Sequence, residues 1–128
     1  MTINRSMTNI CSENLEESKV FYTTLFDFTI AFDSDWFVQL VSKENQLELG
    51  LVDRKHEIVP EDFQKAPAGF YITFVLEDVS PIFEKAKEAN YQIVKEPHDT
   101  FYGQRRLLLK DPDGTLIDVS APIKNFQF

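Results

Sequence analysis

The chain has 128 residues, with 13 Lys and Arg against 21 Asp and Glu, and its formal net charge is −8. The length fits one compact domain, and a hydrophobic content of 43% is typical of a globular chain. The acidic balance argues against nucleic acid and anionic membranes as partners, because both bind clustered Lys and Arg. With only 4 glycines a glycine-rich phosphate loop is nearly excluded, whereas the 12 Phe must fill or line something apolar.

The apolar pattern of the first half predicts a strand, a helix and three further strands. The first strand is predicted at 6–11, and the helix begins at Asn14, which can cap it, with Glu17 at the capping-box position. The helix ends at Asp27. Its inward face is predicted from helical spacing to contain Leu15, Ser18, Phe21, Tyr22 and Leu25. The remaining strands are predicted at 28–32, 36–41 and 46–52, with turns at 33–35 and 43–45.

The second half repeats this order after a charged segment. Residues 53–67 lack a period and are predicted as a linker with one helical turn at 60–63. A strand at 70–76 precedes a helix that Asp78 or Ser80 caps, with Pro81 in its first turn and Asn90 as its stop. The inward face of this helix is predicted to contain Val79, Ile82, Phe83, Ala86 and Ala89. Strands are predicted at 92–95, 104–110 and 115–121, with a turn at 111–114.

The chain therefore has two copies of a strand, a helix and three strands. We predict an α+β fold in which the two copies pair and share a core, because neither copy is large enough to bury its sheet alone.

Three segments carry a resemblance to a known family. Residues 14–22 read N-L-E-E-S-K-V-F-Y, residues 79–86 form the second helix, and residues 102–106 and 110–118 read Y-G-Q-R-R and K-D-P-D-G-T-L-I-D. Together they resemble the vicinal-oxygen-chelate superfamily of glyoxalases, ring-cleaving dioxygenases and bleomycin-resistance proteins, in particular the bleomycin-resistance-like branch. The resemblance implies one domain of two βαβββ modules, about 1–53 and 69–122, joined by a linker at about 54–68. It also implies that their curved mixed sheets pair to form a cleft flanked by helices.

The resemblance further implies where a divalent metal would be held in the cleft. Carried over by position, the four ligand sites are Met7, Glu48, Tyr71 and Asp118, with Asn9 as the alternative to Met7. A thioether and a neutral phenol are poor ligands for such ions, and a catalytic Zn²⁺ usually has three or more protein ligands including His. We therefore predict no metal cofactor. Alternatively, Glu48 and Asp118 hold Mg²⁺ or Mn²⁺ together with water.

Two acidic and two basic residues are candidates for contacts with a ligand. Glu48 and Asp118 lie within apolar strands, where each either faces water on the polar side of the sheet or points into the cleft. One of Arg105 and Arg106 reaches the cleft, because neighbours in a strand point to opposite faces, and it could pair with either carboxylate.

Aromatic residues are candidates for the walls of the cavity, although ordinary core packing is the alternative for each of them. The candidates are Trp36, Tyr71, Phe101 and Tyr102. Tyr102 takes the place of the Trp in the family's W-G motif, which lines the pocket of antibiotic-binding relatives. The predicted ligand-binding set is Met7, Trp36, Glu48, Tyr71, Tyr102, Arg105 and Asp118.

Other reactive residues show no catalytic pattern. Cys11 is the only cysteine and has no neighbouring base, while His56 and His98 are interpreted as surface residues away from the ligand positions. No internal disulfide can form, the N-terminal segment lacks a signal-peptide core, and no apolar run approaches the ~18 residues of a membrane helix. We therefore expect a cytoplasmic protein.

Three functions remain open. In the first, an aromatic and acidic cleft binds a small cationic or aromatic molecule without chemistry, which suits the net charge. In the second, a metal at Glu48 and Asp118 polarises a substrate oxygen in a glyoxalase-like lyase or isomerase, or in a dioxygenase. In the third, the chain is a structural or regulatory dimer whose own side chains fill the cleft. Many members of the family dimerise, so a homodimer is expected.

Overall fold

The computed structural model describes residues 1–42, 44 and 46–127, and the chain divides into two compact units, Met1–Pro67 and Ala68–Phe128. Each unit contains one α-helix and one four-stranded mixed sheet. The α+β class and the repeated order of a strand, a helix and three strands are therefore confirmed. The predicted linker lies within the first unit, while the pairing of the modules around a cleft stays a prediction.

The first unit is built from β1 (Thr8–Ser12), α1 (Leu15–Phe26), β2 (Thr29–Asp33), β3 (Phe37–Ser42) and β4 (Leu47–Asp53). Its strand order is β1-β4-β3-β2, with β1 parallel to β4 and the other pairs antiparallel. A single 3-10 turn, Glu61–Phe63, occupies the segment in which one helical turn was predicted.

Local chemistry explains where α1 begins and ends. The Asn14 side chain accepts a hydrogen bond from the backbone N–H of Glu17 at 3.1 Å, and Asp27 takes the left-handed conformation with φ 55°. The helix packs on β3 and β4. The buried residues of the helix are Ser18, Phe21, Tyr22 and Leu25, and those of the strands include Ile10, Val38, Leu40, Leu49 and Leu51.

The second unit is built from β5 (Tyr71–Val75), α2 (Ser80–Glu88), β6 (Gln92–Asp99), β7 (Gln104–Lys110) and β8 (Leu116–Pro122). Its strand order is β5-β8-β7-β6, and β5 is parallel to β8. Ile82 and Ala86 of α2 are buried, as is Val79, which directly precedes the helix. The buried residues of the sheet include Leu107, Leu109, Ile117 and Val119. Asn90 stops the helical segment with φ 59°, as its residue type predicts.

Several predicted boundaries differ from the structure. The first strand begins at Thr8 and not at residue 6, so Met7 precedes it, and Trp36 likewise precedes β3. β6 continues to Asp99 beyond its predicted end at residue 95, since an edge strand tolerates Pro97. The N-cap residue of α2 is Val79, which makes no side-chain cap bond, but the Asp78 carboxylate accepts from the backbone N–H of Ser80, the first helical residue, at 2.9 Å. In the predicted turn at 43–45, residues 43 and 45 lie outside the described residues.

The inward face predicted for the second helix is correct only in part. Val79, Ile82 and Ala86 are buried, whereas Phe83 is half-buried and Ala89 is exposed. No helix among the described residues is long and apolar enough to cross a membrane.

Candidate functional site

Glu48 lies at the centre of a polar group on the first unit's sheet, on the face opposite the residues buried with α1. The Arg5 guanidinium binds both of its carboxylate oxygens, with Nε 2.6 Å from Oε2 and Nη2 on Oε1. The Gln39 side-chain amide donates to Oε1 at 2.8 Å. The hydrogen bond from Arg5 lowers the pKa of Glu48 below its ordinary value, and the hydrogen bond from Gln39 adds to this against the opposing effect of burial.

Asn9 lies beside this carboxylate on the same face. In the parallel register Asn9 is opposite Gly50, and a Cβ atom built on Gly50 would be 2.0 Å from Asn9 Oδ1. Glycine at this position therefore leaves the space that the Asn9 amide fills. We call Arg5, Asn9, Gln39 and Glu48 the Glu48 cluster. Met7 precedes β1 and takes part in none of the strand pairs described.

Asp118 is the centre of a second polar group, in the middle of β8. Its Oδ1 accepts from Arg106 Nε at 3.0 Å and from the Ser120 hydroxyl at 2.8 Å, while its Oδ2 accepts from the Thr73 hydroxyl at 2.9 Å. The Asp118 side chain is only 8% exposed and that of Arg106 is 22% exposed. Three donors therefore compensate a carboxylate that is almost fully buried.

The arginine that pairs with Asp118 is Arg106, whereas the predicted set contains Arg105. Asp118 is opposite Leu108 in the register, so the even-numbered side chains of β7 share its face and Arg105 points to the other face. Arg105 instead binds the Asp99 carboxylate, with Nε 2.7 Å from Oδ1. On that face it lines a cavity of about 890 Å³ at the start of α2, together with Glu77, Asp78 and Lys124.

Two predicted aromatic residues lie near Arg106. The Arg106 Cζ atom is 5.8 Å from the centroid of the Tyr71 ring, within the range of a cation–π contact. Burial acts to lower the pKa of Arg106, but the hydrogen bond to Asp118 and the electrostatic effects of Asp118, Tyr102 and Tyr71 outweigh it and raise that pKa. Tyr71 is 54% exposed and Tyr102 is 40% exposed. We call Tyr71, Thr73, Tyr102, Arg106, Asp118 and Ser120 the Arg106 cluster.

Trp36 has a different environment from the other predicted site residues. Its ring stacks on the His56 imidazole with centroids 4.4 Å apart and planes at 20°. Its carbonyl accepts from the Asp53 backbone N–H, so it lies at the end of β4 remote from Glu48. The structure therefore separates Trp36 from the Glu48 cluster.

The prediction from sequence missed several members of these clusters. Thr73 and Ser120 share a face with Asp118 through alternation and register, which a correct strand pairing would have shown. His98 was interpreted as remote, but it is directly opposite Arg106 in the β6–β7 pair because β6 continues past Pro97. Arg5 precedes β1, and no sequence pattern marks it as a partner of Glu48.

The donor sets do not fit a divalent metal in either unit. Each carboxylate is already bound by an arginine, and a cation placed there would have to displace a guanidinium. The neighbouring ligand positions offer a thioether at Met7 and a phenol at Tyr71, both poor donors. Among the described residues, no group of three His, Cys, Asp or Glu side chains could hold a metal ion.

Solved structures of known proteins share this fold. A glyoxalase/bleomycin resistance protein/dioxygenase family enzyme from Burkholderia phytofirmans superposes with a TM-score of 0.80 at 19% identity, covering 92% of this chain and 98% of that one. A superfamily member from Sphaerobacter thermophilus gives 0.74 at 23% identity, with coverage of 93% and 98%. A glyoxalase-related enzyme from Fulvimarina pelagi gives 0.77 at 17% identity, with coverage of 93% and 88%. These identities support the fold alone.

A family model provides the assignment. No curated protein sequence matches the chain significantly. The model described as the Glyoxalase/Bleomycin resistance protein/Dioxygenase superfamily matches residues 4–119, which is nearly the whole chain. The match does not single out the bleomycin-resistance-like branch, which stays a prediction. The chain belongs to the glyoxalase/bleomycin resistance protein/dioxygenase superfamily.

Proposed function

We propose that the chain binds a small organic molecule at the Arg106 cluster and does so without a metal. The observation that carries this proposal is the exposed Tyr71 ring beside a fixed guanidinium. Ligand sites in proteins combine apolar or aromatic surface with a few oriented polar groups. Tyr71 and Tyr102 supply the first component, and Arg106 supplies the second.

The Arg106 cluster is better suited to binding than the Glu48 cluster. Asp118 and Arg106 are held by strands of one sheet, so the guanidinium is oriented before a ligand arrives. Preorganisation of this kind reduces the entropy that is lost on binding. Arg5, by contrast, comes from the segment before β1, and its side chain is 60% exposed.

The test uses 2-naphthylmethanol, an uncharged planar probe, in a titration followed by backbone amide NMR. We expect shifts at residues 71–73, 102–106 and 118–120, and at least about a threefold weaker affinity in Tyr71→Ala through loss of ring stacking. The matched control is Phe63→Ala, which removes an exposed aromatic ring of the first unit and should leave the affinity unchanged. Shifts that are absent, or that Tyr71→Ala does not weaken, would contradict the proposal.

A metal-dependent lyase, isomerase or dioxygenase at Glu48 and Asp118 is the alternative proposal, and its support is superfamily membership. Calorimetric titration with Mn²⁺ tests it, because Glu48→Gln and Asp118→Asn would each abolish the heat of binding if both carboxylates were ligands. The third possibility, a purely structural or regulatory dimer, predicts no binding of any small molecule. The expected homodimer is tested by light scattering in solution, and a cytoplasmic location stays a prediction.

A further inference from the structure

We infer that the molecule bound at the Arg106 cluster is an aromatic carboxylate, an acid and not the cation that the net charge suggested. This inference rests on the proposed function and adds the chemical class of its ligand. Its basis is the distribution of hydrogen-bond donors and acceptors around Asp118, together with the position of the Tyr71 ring.

Arg106 has donors left for a ligand. An arginine carries five N–H donors, and among the described residues the hydrogen bond of Arg106 is the one from Nε to Asp118 Oδ1 at 3.0 Å. In the part of the chain that the structure describes, its two Nη groups donate no hydrogen bond. The two groups form a planar fork that matches the geometry of a carboxylate. The guanidinium is also largely shielded from water, which strengthens its interaction with an anion.

Asp118 is a poor acceptor for a ligand cation. It already accepts three hydrogen bonds and is almost fully buried. The Arg106–Asp118 pair is therefore a dipole whose more exposed end is the positive one. A ligand ammonium group would meet the guanidinium first and be repelled by it, whereas a carboxylate would be attracted.

The ring and the charge are within reach of a single ligand. The Arg106 Cζ atom lies 5.8 Å from the Tyr71 centroid, so a ring stacked on Tyr71 brings an acidic substituent close to the Nη groups. Arg106 is the one permanent cation among the members of the cluster, whereas Lys95, on the neighbouring edge strand, is opposite Leu108 and not opposite Arg106. A phosphate dianion is better matched by several cations or by backbone N–H groups at a helix N-terminus.

The experiment compares three probes of the same shape: 2-naphthoate, 2-naphthylmethanol and 2-naphthylmethylammonium. Their dissociation constants are measured at pH 7 by amide NMR titration of the full chain. We expect the carboxylate to bind about tenfold more tightly than the alcohol, and the ammonium to bind more weakly than the alcohol.

Three variants show whether Arg106 is the cause. R106Q/D118N removes both charges without leaving a buried ion, and we expect it to bind carboxylate and alcohol equally. R106K keeps the charge but not the planar fork, and we expect it to keep part of the carboxylate preference. The control R105Q, on the opposite face of the same strand, should keep all of it.

The outcomes separate the inference from the proposed function. Tighter binding of the ammonium probe, or a carboxylate preference that persists in R106Q/D118N, would overturn the inference while binding at the cluster stands. If none of the three probes shifts the amides of the cluster, the proposed function is wrong and the inference falls with it.

Discussion

Each unit has a carboxylate on its last strand, Glu48 on β4 and Asp118 on β8, and the two are neutralised in different ways. Glu48 is bound by Arg5, which belongs to no strand and is mostly exposed. Asp118 is bound by Arg106 from the neighbouring strand, and both of these side chains are largely shielded from water. Both carboxylates are largely shielded, with Glu48 16% and Asp118 8% exposed, so the two pairs differ mainly in the arginine, which is 60% exposed for Arg5 and 22% for Arg106.

The difference shows that the segment supplying the arginine determines how well the ion pair is shielded from water. An exposed ion pair contributes little to stability because water and salt screen it. A shielded pair is different, because removal of one partner leaves a charge without compensation. The following predictions test this contrast.

Arg106→Ala should have the largest effect. It leaves the buried Asp118 carboxylate without its cation, and we expect the free energy of unfolding to fall by about 2–3 kcal/mol. Urea denaturation measures this value. The control is Arg105→Ala, which breaks the exposed pair with Asp99 and should leave stability close to that of the native chain. Equal effects of the two substitutions would show that the shielded pair has no special role.

The double variant R106Q/D118N should cost only about 1 kcal/mol, because neutral partners of similar shape need little solvation. It should therefore be more stable than R106Q alone, in which the carboxylate stays charged. A double-mutant cycle with R106Q and D118N, again in urea, gives the coupling energy. Additive effects would contradict a direct interaction between the two side chains.

Asn14→Ala extends the comparison to the two helices. The Asn14 side chain caps α1 from the N-cap position, whereas the N-cap residue of α2 is Val79, which has no side chain able to do so. We expect a loss of about 1 kcal/mol in the free energy of unfolding. Thr24→Ala, an exposed substitution within α1, serves as the control and should be nearly neutral. A similar loss in both variants would point to a general effect of substitution in α1.

Arg5→Ala should affect stability less than Arg106→Ala, because Gln39 still donates to Glu48 and the exposed Arg5 already competes with water, but it should have a clear effect on titration. Without its main partner the pKa of Glu48 should rise toward the ordinary value for Glu, as side-chain carboxyl NMR can measure. The native pKa is depressed, so the stabilisation from Arg5 is present above the unfolded-state pKa and is lost as pH falls through the folded-state pKa. Arg54→Ala, which removes a pair with Glu13, is the control and should leave Glu48 unchanged.

Much of the fold could be predicted from sequence because its signals are local. The Asn14 cap, the stop at Asn90 and the turn at Asp111–Gly114 are each fixed by residues a few positions apart. Site geometry depends instead on strand register. Alternation predicted that one of two adjacent arginines would reach the cleft and could pair with either carboxylate, but only the pairing of Asp118 with Leu108 shows that Arg106 is the one that faces Asp118. Arg5 was beyond prediction, since it contacts Glu48 from outside any periodic element.

The parallel strand pairs also determine the order in which each unit can be completed. Thr8 pairs with Leu49 and Tyr71 with Leu116. The first strand of each unit therefore cannot join its sheet until the last strand is present. The antiparallel pairs β3–β4 and β7–β8 join neighbouring segments and close short loops, and we expect them to form earlier. During synthesis on the ribosome, Thr73 emerges long before Asp118, its partner on β8. The binding face proposed for the second unit is therefore assembled only when its final strand has been synthesised.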